Sequence, residues 1–187
     1  MIQSISGVVL FKGTQYAVVE TGGVGFKIFV SPSTLGQLPG DGIHVRIFTY
    51  LHMKENALEL YGFLDRKELE LFERLNGISG IGPKSALGIL GIGKAEQLAT
   101  AINEGRTELL TRASGVGRKT AERIVLELKG KLDLVSAPGT LGLLESDAEL
   151  EETLMSLGFN RHQAREAISR IDPKLTVFKE RLKAALQ

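Results

Sequence analysis

The chain contains no cysteine and no long apolar run. Without cysteine, disulfide bonds and thiolate metal sites are excluded. No apolar run approaches the ~20 residues that a membrane-spanning helix requires. The N-terminus also lacks the basic-then-apolar order of a signal peptide. We therefore expect a soluble, intracellular protein with no membrane partner.

Net charge is nearly absent as well, because 23 basic residues face 22 acidic ones among 187 residues. Basic domains are the usual mark of nucleic-acid binding, so the total argues mildly against it. The distribution is uneven, however. Between positions 112 and 131, six basic residues face only two acidic ones, Glu122 and Glu127. The six are Arg112, Arg118, Lys119, Arg123, Lys129 and Lys131.

Hydrophobic residues make up 43% of the chain, which is enough for a folded core. Residues 1–64 consist of short β-prone runs separated by glycine and proline. About five strands in such a length predict a small Greek-key barrel of the OB-fold type. The segment has four basic and four acidic residues, and its aromatics sit mostly at core-like positions. It is therefore a weak candidate for a single-strand groove.

From residue 65 to residue 134 the pattern becomes helical. Leu69, Phe72 and Leu75 have helical spacing, and Gly77 is placed to end that helix. The segment is predicted to be an all-α domain.

The last part of the chain is predicted to be a linker and a small helical tail. Serine, proline and glycine in residues 135–146 indicate a flexible connector. Residues 147–187 predict three short amphipathic helices, over 147–157, 160–171 and 175–186. A tail of this size has little core of its own, so we expect it to dock on a partner.

Two short stretches of the helical domain are nearly identical. Residues 79–86 are Ser-Gly-Ile-Gly-Pro-Lys-Ser-Ala, and residues 114–121, 35 positions later, are Ser-Gly-Val-Gly-Arg-Lys-Thr-Ala. Apolar residues flank both, which predicts helix, tight Gly-X-Gly turn and helix, used twice. Glycine takes positive φ at little cost and lets a ligand approach the backbone. The helix that follows presents free N–H groups, which suit a phosphate, beside Lys84 or Lys119.

Nucleotide-binding loops do not fit these stretches. A phosphate-loop NTPase requires Gly-x-x-x-x-Gly-Lys-Ser/Thr after a buried strand, but Pro83 intervenes before Lys84. Dinucleotide binding requires a third glycine, where this chain has Ser85 or Thr120. The remaining alternative, that both are plain helix connections capped by glycine, is weakened because the same lysine and alanine recur.

The paired turns resemble the helix-hairpin-helix motif, which binds DNA backbones without reading sequence. This resemblance implies phosphate contacts from a set of glycines and cations in and after the turns. The set is Gly80, Gly82, Lys84, Gly115, Gly117, Arg118, Lys119 and Arg123.

Over its whole length the chain is similar to the RuvA family of Holliday-junction-binding proteins. The resemblance also rests on Met1-Ile2, Gly22-Gly23-Val24-Gly25-Phe26 and Leu60-Tyr61-Gly62-Phe63. It implies an α+β multidomain fold: an OB-fold barrel, a tandem helix-hairpin-helix domain, a linker and a three-helix, UBA-like bundle.

The same resemblance implies a non-catalytic function without cofactor or metal. We expect binding of four-way junction DNA in the bacterial cytoplasm, in DNA recombination, repair and the SOS response. The expected assembly is a homotetramer, with an octamer left open, that holds the junction open and square. Residues 147–187 would bind the hexameric ATPase RuvB for branch migration, and the resolvase RuvC is a further expected partner.

One feature of the family is incomplete in this chain. The family carries an acidic pin, two adjacent carboxylates on a barrel hairpin, and the corresponding place is Lys54-Glu55-Asn56. Glu55 would still repel phosphates near the centre of a tetramer, more weakly than a pair. A polar hairpin tip without this role explains the three residues equally well.

Two further expectations concern the tail. Glu149, Glu151 and Glu152 are predicted to form a solvated helix face. Five apolar residues are predicted to form the core of the bundle: Leu154, Leu157, Phe159, Ile168 and Ile171. The rival functions are a small metal-dependent junction nuclease, which would need clustered carboxylates, and a protein-interaction adaptor without DNA binding.

Overall fold

The computed structural model describes residues 2–132, 140–172 and 175–186. The N-terminal segment is a closed barrel with strand order β1-β2-β3-β5-β4. Neighbouring strands are antiparallel except β3 and β5, which pair in parallel and close the barrel. The strands are β1 (Ser4–Lys12), β2 (Tyr16–Thr21), β3 (Val24–Phe29), β4 (His44–Lys54) and β5 (Ala57–Phe63). The predicted barrel is confirmed.

Alternation of apolar side chains explains the barrel, because every second residue of a strand faces its interior. Val9, Val19, Ile28 and Ile47 are fully buried there. Between β3 and β4 the structure has a helix, α1 (Pro32–Gln37), where the sequence suggested only a turn. The side chain of Ser31 caps α1 by accepting a hydrogen bond from the Thr34 N–H, 3.1 Å away.

Five helices follow the barrel and contain both Gly-X-Gly turns. They are α2 (Arg66–Asn76), α3 (Pro83–Leu90), α4 (Ala95–Asn103), α5 (Thr107–Leu110) and α6 (Arg118–Leu128). The prediction that Gly77 ends the first of them is correct. This part is called the hairpin domain below, and its predicted fold class is confirmed.

Phe72 joins the barrel to the hairpin domain. It lies on α2, is fully buried, and its ring lies 4.8 Å from that of Phe63 and 5.5 Å from that of Tyr61, both on β5. The ring of Tyr50 on β4 lies 5.3 Å away on another side. Because these aromatics belong to one core cluster, the barrel positions the helices that carry the turns.

The tail contains α7 (Thr140–Ser156), α8 (Arg161–Ser169) and α9 (Phe178–Ala185). Helix α7 begins before the predicted boundary at 147, whereas residues 135–139 of the predicted linker lie outside the described residues. The bundle core includes Leu154 and Ile171, with Phe159 and Ile168 partly buried. The prediction for Leu157 is wrong, because the turn after α7 directs it outward and it is 56% exposed.

The tail packs against the rest of the chain. Helix α7 contacts α4, and α8 contacts α1. Leu144 of α7 is fully buried in a small apolar cluster with Ala101 and Leu109 of the hairpin domain. Separately, no helix within the described ranges is both long and apolar enough to cross a bilayer.

Candidate nucleic-acid interface

The two Gly-X-Gly turns have the same backbone geometry. Gly80 and Gly115 have φ of 85° and 80°, in the left-handed region that glycine adopts most readily. One residue on, the Ile81 N–H bonds the Ile78 carbonyl at 3.0 Å, and the Val116 N–H bonds the Ala113 carbonyl at 3.1 Å. The sequence repeat is therefore also a structural repeat.

The second glycine of each turn has a different role. Gly82 and Gly117 cap α3 and α6 with φ of −86° and −82°, values that any residue adopts. A Cβ at either position would meet nothing within 4 Å. Neither cap makes a side-chain hydrogen bond, so the first N–H groups stay available to an anion. They begin at Arg118 in α6 and at Lys84 in α3, because Pro83 has no N–H. The fold itself does not require glycine here, and the missing side chain leaves the start of each helix open to a ligand.

Matched small and apolar residues of the two units lie in one shared core. Ala86 and Ala121, and one turn later Ile89 and Ile124, are all fully buried in one core. This packing fixes the distance between the turns. The alanines are small enough for the helices to approach closely, as the repeated sequence indicates.

The predicted cations of the interface are exposed, and they differ in their surroundings. Lys84 and Lys119 lie one residue inside their helices, and Lys119 is fully accessible to a ligand. Arg118 forms an ion pair of 3.0 Å with Glu122 on the same helix, a surface pair worth about 0.3–0.5 kcal/mol. A phosphate can therefore replace Glu122 as the partner of Arg118 at a small cost in free energy.

Lys84 is exposed at the start of α3, and its charge acts on a carboxylate of the barrel. The hydrogen bond from Lys54 lowers the pKa of Glu59 on β5 most, and the charge of Lys84 adds a smaller contribution. Lys84 is thus close to the strand that leads away from the Glu55 hairpin.

Arg123 connects the second unit to the first turn. Its Nη1 donates to the carbonyl of Ser79 at 2.8 Å, across 44 residues of sequence. In the first unit the corresponding residue is Gly88, where a Cβ would lie 3.4 Å from the carbonyl oxygen of Ser114. Sequence reasoning placed Arg123 among the phosphate contacts and missed this brace, which no local pattern reveals.

Replacing Arg123 by glutamine should lower the free energy of unfolding by about 1 kcal/mol, because the long-range hydrogen bond to Ser79 is lost. Arg118→Gln is the matched control on the same helix, and its surface pair should change stability by less than about 0.5 kcal/mol. Urea unfolding followed by circular dichroism measures both. Equal stability of the two variants would show that Arg123 braces nothing.

The hairpin between β4 and β5 has Glu55 and Asn56 at its two-residue tip, both exposed. Lys54 is held by Glu59 at 2.7 Å, whereas Glu55 has no ion-pair partner within the part of the chain that the structure describes. Met53 and Leu58 face each other below the tip and are 73% and 72% exposed. The hairpin therefore presents one free carboxylate above an uncovered apolar pair, which sequence reasoning overlooked.

The prediction that Glu151 belongs to a solvated face is wrong. Its carboxylate is 9% exposed and accepts from Arg112 at 3.1 Å, Arg161 at 3.1 Å and Arg165 at 3.2 Å. Glu149 and Glu152 are exposed, as predicted. Arg112, counted above with the basic surplus, is thus occupied by the tail. The tail was expected to lie apart from the hairpin domain, so sequence alone gave no sign of this contact.

Metal-ligating side chains do not gather at the turns. Among the described residues, no group of three or more His, Asp or Glu side chains could hold a metal ion. The interface consists of backbone donors and cations, which suit an anionic polymer.

Three family models match the chain in sequence. They are the RuvA N terminal domain over residues 1–62, the SAM-like Helix-hairpin-helix tandem over residues 72–131, and the RuvA C-terminal domain over residues 147–187. Together they match the barrel, the hairpin domain and the tail.

Full-length relatives are similar throughout. One from Chloroflexus aggregans is 43% identical over 190 residues, covering 100% of this chain and 97% of the relative. One from Dehalococcoides mccartyi is 41% identical with the same coverage, and one from Marinomonas is 39% identical over 100% of this chain and 98% of the relative. All three are named Holliday junction branch migration complex subunit RuvA. With its barrel and paired turns in the matching places, the chain belongs to the RuvA family.

Proposed function

We propose that this protein binds four-way junction DNA as a non-catalytic scaffold. The observation that carries the proposal is the pair of equivalent helix N-termini at Gly82 and Gly117, both open to an anion. The names of the relatives support the same substrate. Contacts of this kind hold the phosphate backbone without reading bases, so the structure of the DNA and not its sequence is recognised.

Recognition of the junction requires several pairs of turns around one centre. We propose a homotetramer, or two tetramers on one junction, in which the barrels meet and four pairs of turns hold the four arms. Glu55 would then lie near the crossover, where its charge repels phosphates and helps keep strands apart. With Asn56 beside it, this repulsion is weaker than that of two carboxylates per protomer. Light scattering with and without junction DNA distinguishes tetramer from octamer.

The tail is proposed to recruit the ATPase motor RuvB, which drives branch migration in recombination and repair in the bacterial cytoplasm. Three exposed apolar residues of the tail, Leu157, Val177 and Leu186, are available for such a contact. They are 56%, 55% and 50% exposed, which is more than apolar side chains in the core of a small bundle would be. The resolvase RuvC is a further proposed partner on the bound junction.

The rival functions lack supporting observations. A metal-dependent nuclease needs clustered carboxylates, and the described residues contain no such group. An adaptor without DNA binding would not explain why both helices after the turns begin with uncapped N–H groups. Failure of the protein to bind any DNA at low salt would favour the adaptor.

Lys119→Glu should weaken junction binding at least tenfold at ~100 mM salt, with no change of sequence preference, since it removes one phosphate contact and adds a repulsive charge. Lys183→Glu makes the same reversal on the exposed face of α9 and should bind like the wild type. Fluorescence anisotropy with labelled junctions of two sequences measures both. If Lys119→Glu binds as well as Lys183→Glu, the turns are not the interface.

A further inference from the structure

The acidic helix α7 covers two arginines of the hairpin domain. Arg106, which precedes α5, forms ion pairs with Glu108 and with Glu145 of α7. Arg112, which follows α5, donates to Glu151 at 3.1 Å and to the Ala148 carbonyl at 3.4 Å. The side chains of Arg106 and Arg112 are 37% and 19% exposed. Carboxylates of the tail thus occupy the place that an external anion would take on this surface.

The charges at this contact are unbalanced. Glu151 also accepts from Arg161 and Arg165 of the tail, so three guanidinium groups share one carboxylate. Burial lowers the pKa of Arg112, and repulsion from Arg165 and Arg161 lowers it further, although Glu151 and Glu152 oppose this. If the tail moves away, Glu151 keeps two arginines of its own domain. Arg112 alone loses its partner and becomes an unpaired cation that an external anion can bind.

Arg112 stands two positions before Ser114, where the second turn begins. We propose that Arg106 and Arg112 form a second phosphate-binding surface of the hairpin domain, which α7 covers in this conformation and DNA backbone occupies when the tail lifts. The proposal rests on the DNA binding proposed above. It makes the tail a competitor of the DNA arm, through carboxylates that stand where phosphate oxygens would lie.

The docking of the tail can be changed without touching any charge. Leu144 is buried between α7 and the hairpin domain, and a Cβ at Gly93 would lie only 2.6 Å from its Cδ1. Leu144 does not belong to the core of the tail bundle. On the other side of the tail, a Cβ at Gly36 of α1 would lie 3.5 Å from the Ser169 Oγ of α8. This short separation makes the two positions a suitable pair for an engineered disulfide, which would hold the tail down.

The decisive experiment uses the full chain with Gly36→Cys and Ser169→Cys, which form the only cysteine pair because the natural sequence has none. Junction affinity is measured by anisotropy at ~50 mM salt, before and after oxidation, with disulfide formation checked by mass. Oxidation should weaken binding roughly threefold or more and should make it less sensitive to salt, because two phosphate contacts are blocked and each contributes about 0.9 to the slope of log affinity against log salt. Equal affinity of the oxidised and reduced protein would overturn the proposal.

Leu144→Ala tests the same idea in the opposite direction. It should loosen the tail and tighten junction binding, whereas Met155→Ala, a comparable truncation at an exposed position of the same helix, should leave affinity unaltered. Adding Arg106→Gln and Arg112→Gln to Leu144→Ala should abolish the gain. A gain that survives their removal would contradict the assignment of the surface. If neither the wild type nor the reduced cysteine variant binds junctions, the proposed function itself is contradicted, rather than the competition between tail and DNA.

Discussion

Replacing Gly82 and Gly117 together by aspartate should abolish junction binding while leaving the chain as stable as before, or more stable. Both positions are helix N-caps with ordinary φ and empty space around a Cβ. Aspartate is a preferred N-cap, and its side chain would accept the N–H groups that now lack a partner. Its charge also interacts favourably with the helix dipole, so the helices gain roughly 0.5–1 kcal/mol each.

The same change removes the phosphate site. The aspartate would occupy the backbone donors and place a negative charge where the phosphate should lie. A hydrogen bond to a charged group is worth about 1.5–3 kcal/mol, so losing one at each turn predicts a loss in affinity of roughly a hundredfold or more. Thermal unfolding and anisotropy on the same preparation measure the two effects, which should have opposite signs.

Gly40→Asp is the control for this double variant. Gly40 is exposed, and a Cβ there meets nothing within 4 Å, but it lies in a barrel loop away from the turns. It should bind the junction nearly as well as the wild type. If the double variant at Gly82 and Gly117 retains binding, backbone donors at the turns do not hold the phosphate.

Phe72→Ala should be the most destabilising single substitution considered, lowering the free energy of unfolding by about 3–5 kcal/mol. The side chain is fully buried between barrel and hairpin domain, in contact with Tyr50, Tyr61 and Phe63. Its removal leaves a cavity that the rigid β4 and β5 strands cannot fill. Urea unfolding measures the change. Leu126→Ala on α6, where the side chain is 82% exposed, should change stability by less than about 0.5 kcal/mol.

The position of Phe72 gives this variant a second expected effect. Because the ring joins the barrel to the helix before the first turn, its loss should let the two domains move relative to each other. Junction preference depends on the barrel holding several pairs of turns in fixed places. At a temperature where Phe72→Ala is still folded, the ratio of junction to duplex affinity should fall. An unchanged ratio would mean that the barrel does not set the geometry of the turns.

Much of the fold could be predicted because its signals are local. Alternating apolar residues specify barrel strands, and helical spacing with Gly77 specifies the end of α2. The repeated turn at Gly80 and Gly115 can be recognised from the sequence alone, because a position with positive φ strongly favours glycine. Gly80 forms the turn with positive φ, whereas Gly82 caps α3. The sequence could not distinguish these two roles, because both residues are glycine.

The parts that sequence missed are contacts between distant segments. Arg123 reaches Ser79 across 44 positions, and Arg112 reaches Glu151 across 39. A charged residue on an amphipathic helix is usually solvated, so Glu151 could not be distinguished from its neighbours Glu149 and Glu152. Contacts with Arg161 and Arg165 of the tail and with Arg112 of the hairpin domain single out one of the three. The docking of the tail pairs Arg112, one of the six basic residues near the second turn, with Glu151.

Competition between a four-way junction and a linear duplex of the same sequences tests the central claim most directly. With labelled junction, unlabelled duplex competitor and a series of salt concentrations, the protein should prefer the junction at every salt. Affinity for both should fall steeply with salt, since phosphate contacts release counterions. Equal affinity for junction and duplex, or binding insensitive to salt, would contradict a scaffold that holds the arms through paired backbone-binding turns.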